Sequence, residues 1–237
     1  MSPHKQHTNL IVFFAVIIVI VFFGGLMMLG LQKPLPPQSA PVASALNYSP
    51  TGIAARGQTY LQQDILTIDS PVSFSVGPKD AKVVFVEFSD YQCPYSQIDM
   101  PVVRQLMSQY KDASVRFVFR EMPIVKLYPQ SINIAEGALC AKDQGKYLEY
   151  SEYAFIHQAE ASADFPEKIA RDIGLDSAQF GLCYSQKFRH QQIVNDLYDA
   201  QSLGLTGTPT FFINNERIVG AAMFSELKNA IDLELRK

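Results

Sequence analysis

The pattern of hydrophobic and polar positions sets the amino end of the chain apart from the rest. Residues 10–31 are 22 consecutive uncharged and nearly all apolar positions, close to the roughly 20 residues that a helix needs to cross the hydrocarbon core of a membrane. The pattern predicts a transmembrane anchor behind a short tail, residues 1–9. A secretory signal has an apolar stretch of only about 7 to 15 residues, so the length favours an uncleaved signal-anchor. Cleavage after residues 43–45, which resemble a cleavage site, stays open as the alternative.

Residues 32–70 predict a linker between the anchor and the rest of the chain. Five prolines lie between positions 32 and 57, among Ser, Ala and Gln, which is typical of an extended tether. Residues 34–237 carry 18 Lys and Arg against 23 Asp and Glu, a net charge of −5. An acidic domain does not bind an anionic bilayer by charge, so membrane contact is expected through the amino-terminal helix.

Periodicity predicts three strands in the part that follows. Val72–Val76 alternates between apolar and polar residues and stops at a Gly-Pro pair, which predicts a short half-buried strand. Lys82–Phe88 is apolar on both faces, which is typical of a central strand covered on both sides. Val115–Phe119 alternates and is rich in β-branched and aromatic residues, and it predicts a further strand.

A helix is predicted between the second and third of these strands, from Cys93 onward. Pro101 falls inside this helix, where it is expected to remove one backbone hydrogen bond and bend the helix axis. Strand, helix and strand form a β-α-β unit, which implies that the two strands pair in parallel. The apolar positions recur every four residues and indicate one buried face: Ile98, Val102, Leu106 and Tyr110, with Val103 and Met107 beside them.

The rest of the domain is helical in its middle and ends in a hairpin and a helix. Thr210–Ile213 and Arg217–Val219 flank turn-forming residues and predict a hairpin, and residues 224–236 predict a closing helix. Residues 71–237 are therefore expected to form one α/β domain. Residues 128–204 predict a helical insert of about 75 residues, with three expected breaks between its helices: Gly145, Pro166 and Gly174.

Composition and charge exclude several classes of function. Hydrophobic residues make up 48% of the chain and charged residues 18%, which excludes a disordered protein. The net charge of −3 provides no positive field for a phosphate backbone, so no nucleic acid partner is expected. Three cysteines are too few for a disulfide-built miniprotein, and the four histidines lack the spacing of metal ligands. Neither a metal nor a cofactor is predicted.

Cys93 is the candidate nucleophile. It lies at the junction of a predicted buried strand and a predicted helix, where unpaired amides and the positive end of the helix dipole favour a thiolate. Pro94 follows at the first helical position, where its missing amide hydrogen costs nothing. Glu87 is expected to be desolvated beneath the helix, which raises the pKa of its carboxyl and suits it to proton exchange with the cysteine site. A buried inert cysteine and a solvent-facing acid on an edge strand are the alternatives.

Three stretches of sequence carry a family resemblance: Glu87–Tyr95 (EFSDYQCPY), Pro101, and Thr206–Asn214 (TGTPTFFIN). On these motifs, residues 71–237 resemble the DsbA-like thiol:disulfide oxidoreductases of the thioredoxin superfamily, which carry a helical insert in a thioredoxin core. The resemblance implies this fold and places the family's nucleophile at Cys93.

The same resemblance implies a substrate-binding surface. The family's proline that matches Pro209 is cis and lies against the active cysteine, and the residue that matches Thr208 offers backbone groups to an extended substrate strand. An X-Pro bond is the one peptide bond that is cis at small cost. Thr208 and Pro209, together with Pro94 and Tyr95 beside the nucleophile, are therefore the predicted substrate-binding residues. An ordinary trans proline at the start of a strand is the alternative.

One position departs from the family pattern. The family motif is Cys-x-x-Cys, and Ser96 occupies its fourth position here. A dithiol uses its second sulfur to release the substrate from a mixed disulfide. Cys93 is therefore expected to act alone, with release by a thiol from glutathione, another protein or the substrate. Ser96 is expected to stabilise the Cys93 thiolate by hydrogen bonding.

The two remaining cysteines, Cys140 and Cys183, lie on apolar helical stretches of the insert. In an oxidising compartment they are expected to form a structural disulfide between two helices. Such a bridge closes a loop of roughly 43 residues and stabilises by about 4 kcal/mol in the chain-entropy model. Two buried reduced thiols, or a resolving role for one of them toward Cys93, are the alternatives.

The sequence supports two functions of different class. The first is an enzyme: a single-pass, membrane-tethered thiol:disulfide exchange protein whose domain lies outside the cytoplasm, on the periplasmic or extracellular side. Its expected partners are protein thiols or disulfides, small thiols and a membrane redox protein of unknown identity. The second is a peptide-binding or assembly module that keeps the fold and has lost the redox chemistry. A one-cysteine peroxidase is weaker, because Cys93 lacks the Pro-x-x-x-Thr-x-x-Cys setting that resembles peroxiredoxins.

Overall fold

The computed structural model describes residue 70 and residues 72–237 of the chain. The predicted tail and transmembrane helix, and residues 32–69 of the predicted linker, lie outside the described residues. No helix in the described part of the chain is long and apolar enough to cross a membrane.

Five strands form one mixed sheet. Their bounds are Phe74–Val76 (β1), Val83–Ser89 (β2), Val115–Glu121 (β3), Thr210–Ile213 (β4) and Glu216–Val219 (β5). The order across the sheet is β1-β3-β2-β4-β5. β2 and β3 pair in parallel, and every other neighbouring pair is antiparallel. The sheet therefore has β2 at its centre and β1 and β5 at its edges.

Seven α-helices accompany the sheet in residues 72–237, five of them in the insert. The bounds are Pro94–Gln109 (α1), Ser131–Lys142 (α2), Tyr147–Ile156 (α3), Phe165–Asp172 (α4), Ser177–Ser185 (α5), His190–Ser202 (α6) and Phe224–Arg236 (α7). A short 3₁₀ helix, Gln158–Glu160, follows α3. The α1 helix continues through Pro101 without interruption.

The sheet separates two hydrophobic clusters. Phe85 of β2 belongs to the cluster that includes Leu106 of α1 and Ile231 of α7. The adjacent Val86 belongs to the cluster that the insert helices complete, with residues such as Leu139. Successive side chains of a strand point to opposite faces, and both faces of β2 are covered. This accounts for the nearly continuous apolar run of the strand.

Most of the predicted architecture is confirmed. The chain is α/β, β2 and β3 are parallel, and the insert is helical without a strand in its described residues. The hairpin and the closing helix occupy the predicted positions. The first strand is shorter than predicted, because Val72 is half exposed and pairing with β3 begins at Phe74.

Two predictions about helices were wrong in detail. Ile98 was expected on the buried face of α1, but it is 59% exposed. The buried face instead runs through Ser96, Asp99, Val103 and Leu106, so that two polar residues occupy positions that the apolar pattern could not mark. Pro166 does not separate two helices. It lies in the first turn of α4, where its missing N–H leaves no bond unmade.

Candidate functional site

Cys93 occupies the N-cap position of α1, directly after the turn that follows β2. Its backbone is extended, and Pro94 begins the helix, which leaves the helix terminus open toward the cysteine. The Sγ atom donates a hydrogen bond to the backbone carbonyl of Thr208 at 3.2 Å. The residue is 4% exposed, so only one edge of it reaches solvent.

The segment that faces Cys93 contains a cis peptide bond between Thr208 and Pro209. The carbonyl of Pro209 accepts a hydrogen bond from the backbone N–H of Gly220 at 2.8 Å. The hydroxyl of Thr210 donates to the carbonyl of Gly207 at 2.8 Å. These two hydrogen bonds hold the residues on both sides of the cis bond in place. The segment thereby keeps the Thr208 carbonyl beside Cys93, which lies 115 positions earlier in the chain.

The three residues after Cys93 divide between surface and interior. Pro94 is exposed and Tyr95 is 61% exposed, so both lie on the surface beside the cysteine. Ser96 has no exposed surface. Its hydroxyl oxygen accepts a hydrogen bond of 3.5 Å from the backbone N–H of Asp90. The side chain expected to stabilise the cysteine thiolate is therefore bonded to the preceding turn.

Asp90 organises that turn. Its carboxylate accepts hydrogen bonds from the backbone N–H groups of Gln92 at 2.8 Å and Ile124 at 2.6 Å. Burial raises the pKa of Asp90 to about 6, and these hydrogen bonds act in the opposite direction. A carboxylate that satisfies two buried N–H groups fixes the geometry of the chain just before Cys93.

Two carboxyl groups are buried on the α1 side of the sheet. Burial, together with the smaller effect of the neighbouring Asp99 carboxylate, raises the pKa of Glu87 on β2 to about 8. Burial also raises the pKa of Asp99 on α1 to about 7, although the backbone N–H of Ala222 donates to it at 3.2 Å. The second oxygen of Asp99 has no hydrogen-bond partner among the described residues. Both acids change protonation near neutral pH.

A small cavity borders Glu87. Its volume is about 30 Å³, which is enough for a water molecule. Half-exposed Arg104 and Glu152 also line it, and these two side chains form an ion pair of 3.1 Å. The rest of the lining is mostly apolar, and it also includes four hydroxyl-bearing side chains: Ser89, Tyr91, Tyr147 and Ser151. The cavity therefore connects the buried Glu87 carboxyl with groups near the surface.

Glu121 is a further buried acid, at the end of β3. The hydroxyls of Tyr147 and Tyr91 donate to it, at 2.8 and 3.4 Å. Burial raises the pKa of Glu121 to about 8, and the tyrosine hydrogen bonds oppose this rise. The two tyrosines also line the cavity next to Glu87, so they lie between this cavity and Glu121.

Cys140 of α2 and Cys183 of α5 form a disulfide within the insert. Both are buried, with exposed fractions of 1% and 7%. In the structure neither is a free thiol, which leaves Cys93 as the free cysteine of the chain. Within the described residues no group of three or more His, Cys, Asp or Glu side chains is arranged to hold a metal ion.

The structure brings together some of the predicted site residues and adds others. Cys93 bonds to Thr208, which precedes Pro209 across the cis bond, and Glu87 is buried on β2 with no hydrogen bond to the cysteine among the described contacts. Asp99 was not predicted. A single acid in an otherwise apolar helix pattern gives no signal of burial, since its partner, the backbone of Ala222, lies 123 positions away.

Comparison with known proteins supports the fold. A family model described as thioredoxin matches residues 69–233. The chain is similar to the thiol-disulfide exchange protein α-DsbA2 of Wolbachia pipientis, with 25% identity and a TM-score of 0.64, over 74% of this chain and 99% of that one. It is also similar to a thioredoxin-like oxidoreductase of Silicibacter pomeroyi, with 31% identity and a TM-score of 0.63, over 72% of this chain and 96% of that one.

A different kind of relative matches over part of its length. The chain is 32% identical over 155 residues to the Na(+)/H(+) antiporter NhaA 3 of Salinispora tropica. The match covers 65% of this chain and 24% of the antiporter. The chain thus spans about a quarter of the length of that relative, and the similarity concerns a domain rather than the whole antiporter.

Proposed function

The chain belongs to the thioredoxin family, and on this premise we propose that it carries out thiol:disulfide exchange with Cys93 as its single nucleophile. The position of Cys93 carries the proposal: the sulfur lies at the open amino end of α1, 3.2 Å from the carbonyl of Thr208 beside a cis proline. Unpaired amides and the positive end of the helix dipole stabilise a negative charge at such a position.

The first step is attack on a substrate disulfide. The Cys93 thiolate forms a bond to one substrate sulfur, the substrate S–S bond breaks, and the second substrate sulfur leaves as a thiolate. The thiol proton must leave Cys93 before the attack, and the hydrogen bond from Sγ to the Thr208 carbonyl is lost with it. The product of this step is a mixed disulfide, with no net change in the number of disulfide bonds.

The second step needs a thiol from outside the chain. Ser96 has no sulfur, and the two other cysteines are bonded to each other. A thiolate from a small thiol, a second protein or the substrate itself attacks the mixed disulfide and displaces Cys93 as a thiolate. The sum of the two steps transfers a disulfide between thiols, which is the chemistry of isomerisation or of removing small-thiol adducts.

Glu87 and Asp99 provide proton acceptors and donors near the site. With pKa values of about 8 and 7, both groups change protonation in the pH range where thiols exchange. The cavity beside Glu87 is large enough for one water molecule, which would offer a route for the Glu87 proton toward Arg104 and Glu152. This role is an indirect one, because no hydrogen bond joins either carboxyl to Cys93 among the described contacts.

Protein thiols and disulfides are the proposed substrates. Tyr95 and Ile98 form an exposed apolar surface on α1 next to the cysteine, and a peptide that lies across them reaches Sγ. The backbone of Thr208 and the cis Pro209 form the other side of the proposed path by which such a peptide reaches Sγ. Small thiols such as glutathione are the proposed co-substrates for release.

We further propose that the domain is anchored in a membrane and lies outside the cytoplasm. The apolar run at residues 10–31 supports the anchor, and a disulfide in the insert fits an oxidising compartment. Carbonate washing of membranes should leave the chain in the pellet, and alkaline phosphatase fused after residue 237 should be active. A washed-out chain or an inactive fusion would contradict the respective part.

A mass measurement tests the exchange reaction. Reduced full-length protein mixed with a glutathionylated peptide should accumulate a mixed disulfide at Cys93, which excess glutathione then releases. In Ser96→Cys the adduct should disappear in favour of a disulfide between Cys93 and the introduced thiol, because the second sulfur can resolve it. Cys93→Ser is the control without a nucleophile. Absence of any adduct on wild-type Cys93 would overturn the proposal.

The second candidate function is a peptide-binding module without redox chemistry. The small exposed fraction of Cys93 and the serine at position 96 favour it. Under this alternative, Cys93→Ala binds unfolded peptides as tightly as the wild type, and the wild type forms no covalent adduct. The adduct experiment therefore separates the two candidates.

A further inference from the structure

Gln158, at the start of the 3₁₀ helix of the insert, reaches the active-site turn. Its side-chain nitrogen Nε2 donates to the backbone carbonyl of Tyr91 at 2.9 Å and to that of Cys93 at 3.1 Å. A primary amide nitrogen carries two N–H donors, so both are used on this turn. The two carbonyls belong to the residues on either side of Gln92.

The carbonyl of Cys93 has a second partner. It accepts the backbone N–H of Gln97 at 3.1 Å, which is the first hydrogen bond of α1. At an N-cap residue the same backbone dihedrals set the direction of this carbonyl and the direction of the side chain. A side chain that fixes the carbonyl therefore also restricts the direction of the Cα–Cβ bond that carries Sγ.

The segment that carries Gln158 is itself held in place. The ring of His157 stacks on Tyr153 of α3 with centroids 4.2 Å apart, and its Nδ1 atom pairs with Glu160 at 2.8 Å. The backbone N–H of Glu160 donates to the carbonyl of His157 at 2.8 Å. These contacts close the 3₁₀ turn against α3, so the Gln158 amide approaches from a fixed support.

We propose that Gln158 is a positioning residue for the nucleophile: its amide clamps the carbonyls of Tyr91 and Cys93 and thereby orients the cysteine toward Thr208 and the incoming substrate. The inference rests on the proposed function of Cys93. The hydrogen bonds of the Gln158 amide go to backbone carbonyls and not to Sγ, so it acts through the backbone of the turn. The helical insert thus contributes directly to the geometry of the site.

Gln97 provides a matched control within the same pair of elements. Its side-chain nitrogen donates to the carbonyl of Phe155 at 2.7 Å and so also joins α1 to the end of α3. Gln97 and Gln158 are both partly buried. Of these two side chains, only Gln158 bonds the backbone of Cys93. Comparing variants of the two residues therefore distinguishes the loss of a general link between elements from a specific effect on the nucleophile.

The experiment measures alkylation of Cys93 in the full-length protein by iodoacetamide across a series of pH values. Cys140 and Cys183 are protected by their disulfide, so the signal comes from Cys93. Gln158→Met keeps the shape and removes both donors, and we expect its rate to fall about tenfold, since small misplacements of a reacting group are costly. Gln97→Met should stay within about twofold of the wild type, because its bond does not position Cys93.

Gln158→Glu adds a second measurement, the pH dependence of the alkylation rate, which the loss of a purely structural contact would leave unchanged. The carboxylate places a negative charge beside the two carbonyls and near the developing thiolate, so the midpoint of the rate–pH profile should shift to higher pH. Gln158→Met should lower the rate without an equal shift. Circular dichroism and the denaturation midpoint show whether each variant keeps its fold.

The outcomes are distinguishable from a failure of the proposed function. A wild-type Cys93 that does not react would count against the exchange activity itself. A reactive wild type with unchanged rates in Gln158→Met and Gln158→Glu overturns the positioning role alone. Equal slowing in Gln97→Met and Gln158→Met also overturns it, because the effect then follows the link between elements. Selective slowing in the Gln158 variants supports it.

Discussion

Two regions of the domain bury carboxyl groups in opposite ways. Between the insert and the sheet, Asp196 accepts the Arg120 guanidinium at 2.7 Å and the backbone N–H of Glu121 at 2.9 Å. Beneath α1, Glu87 has no hydrogen bond or ion pair with the residues that the structure describes, and Asp99 has a single bond to a backbone N–H.

The difference shows what each region is suited to do. Burial raises the pKa of Asp196, and Arg120 and the backbone N–H act against this rise. Nothing opposes burial at Glu87, and its pKa rises to about 8. Paired groups join the insert to the sheet, whereas the two acids under α1 have few partners and raised pKa values, which suits them to the proton exchange proposed above.

Removing the Arg120 guanidinium should produce the largest change in the free energy of unfolding. Arg120→Leu leaves Asp196 and the neighbouring Asp199 without their partner, and we expect a loss of about 3 to 5 kcal/mol in the free energy of unfolding. Urea denaturation of the full-length protein in mild detergent measures it. Arg104→Leu, which breaks the half-exposed pair with Glu152, should cost less than about 1 kcal/mol. Similar losses in both variants would mean that the buried pair does not fasten the insert.

Removing the disulfide tests the other fastening of the insert. Cys140→Ala combined with Cys183→Ala should destabilise by about 2 to 4 kcal/mol, since the unfolded chain regains the freedom of the closed loop. The same denaturation measurement applies, and dithiothreitol should lower the wild-type midpoint by a matching amount. An unchanged midpoint in the double variant would contradict the expectation.

Replacing Glu87 should change the pH dependence of stability. Its pKa is raised from 4.5 to about 8 in the folded protein, so the folded state holds the proton more tightly and stability falls as pH rises through this interval. Glu87→Gln resembles the protonated acid and should remove that slope, with a gain on the order of 2 to 4 kcal/mol at pH 8. Denaturation midpoints at pH 5 and pH 8 measure it, and parallel slopes for both proteins would refute the argument.

Asp99→Asn should have the smallest effect and sharpen the comparison. The amide oxygen of Asn keeps the bond from Ala222. This bond is weaker without the negative charge, which offsets part of the gain from removing a buried charge. We expect a stabilisation on the order of 1 kcal/mol at pH 8. Because Asp99 raises the pKa of Glu87, the Glu87 slope should also move to lower pH. Strict additivity with Glu87→Gln would show that the two acids do not interact.

Local periodicity was enough to predict the centre of the fold. The run from Lys82 to Phe88 has apolar residues on both faces, and β2 is indeed covered on both sides. Glu87 was predicted to be buried for the same reason, since its neighbours on the strand are apolar. The hairpin and α7 followed from equally local signals, and their bounds agree with the prediction.

Contacts between distant parts of the chain were beyond such patterns. Ile98 was expected to be buried and is exposed, whereas Asp99 beside it is buried and accepts an N–H from Ala222, 123 positions away. Gln158 lies 65 positions after Cys93, in a polar segment without periodicity. Partners of this kind depend on how the insert packs against the core, which no short window of sequence contains.

Because Ser96 is completely buried, external molecules can reach only one of the two positions that form a Cys-x-x-Cys motif in related proteins. A substrate or thiol from solvent contacts Cys93 first, because the side chain at position 96 has no exposed surface. A thiol introduced at position 96 would therefore act only from within, after a covalent link at position 93 already exists. The difference in solvent exposure, and not a difference in thiol reactivity, thus decides which of the two positions an external molecule reaches.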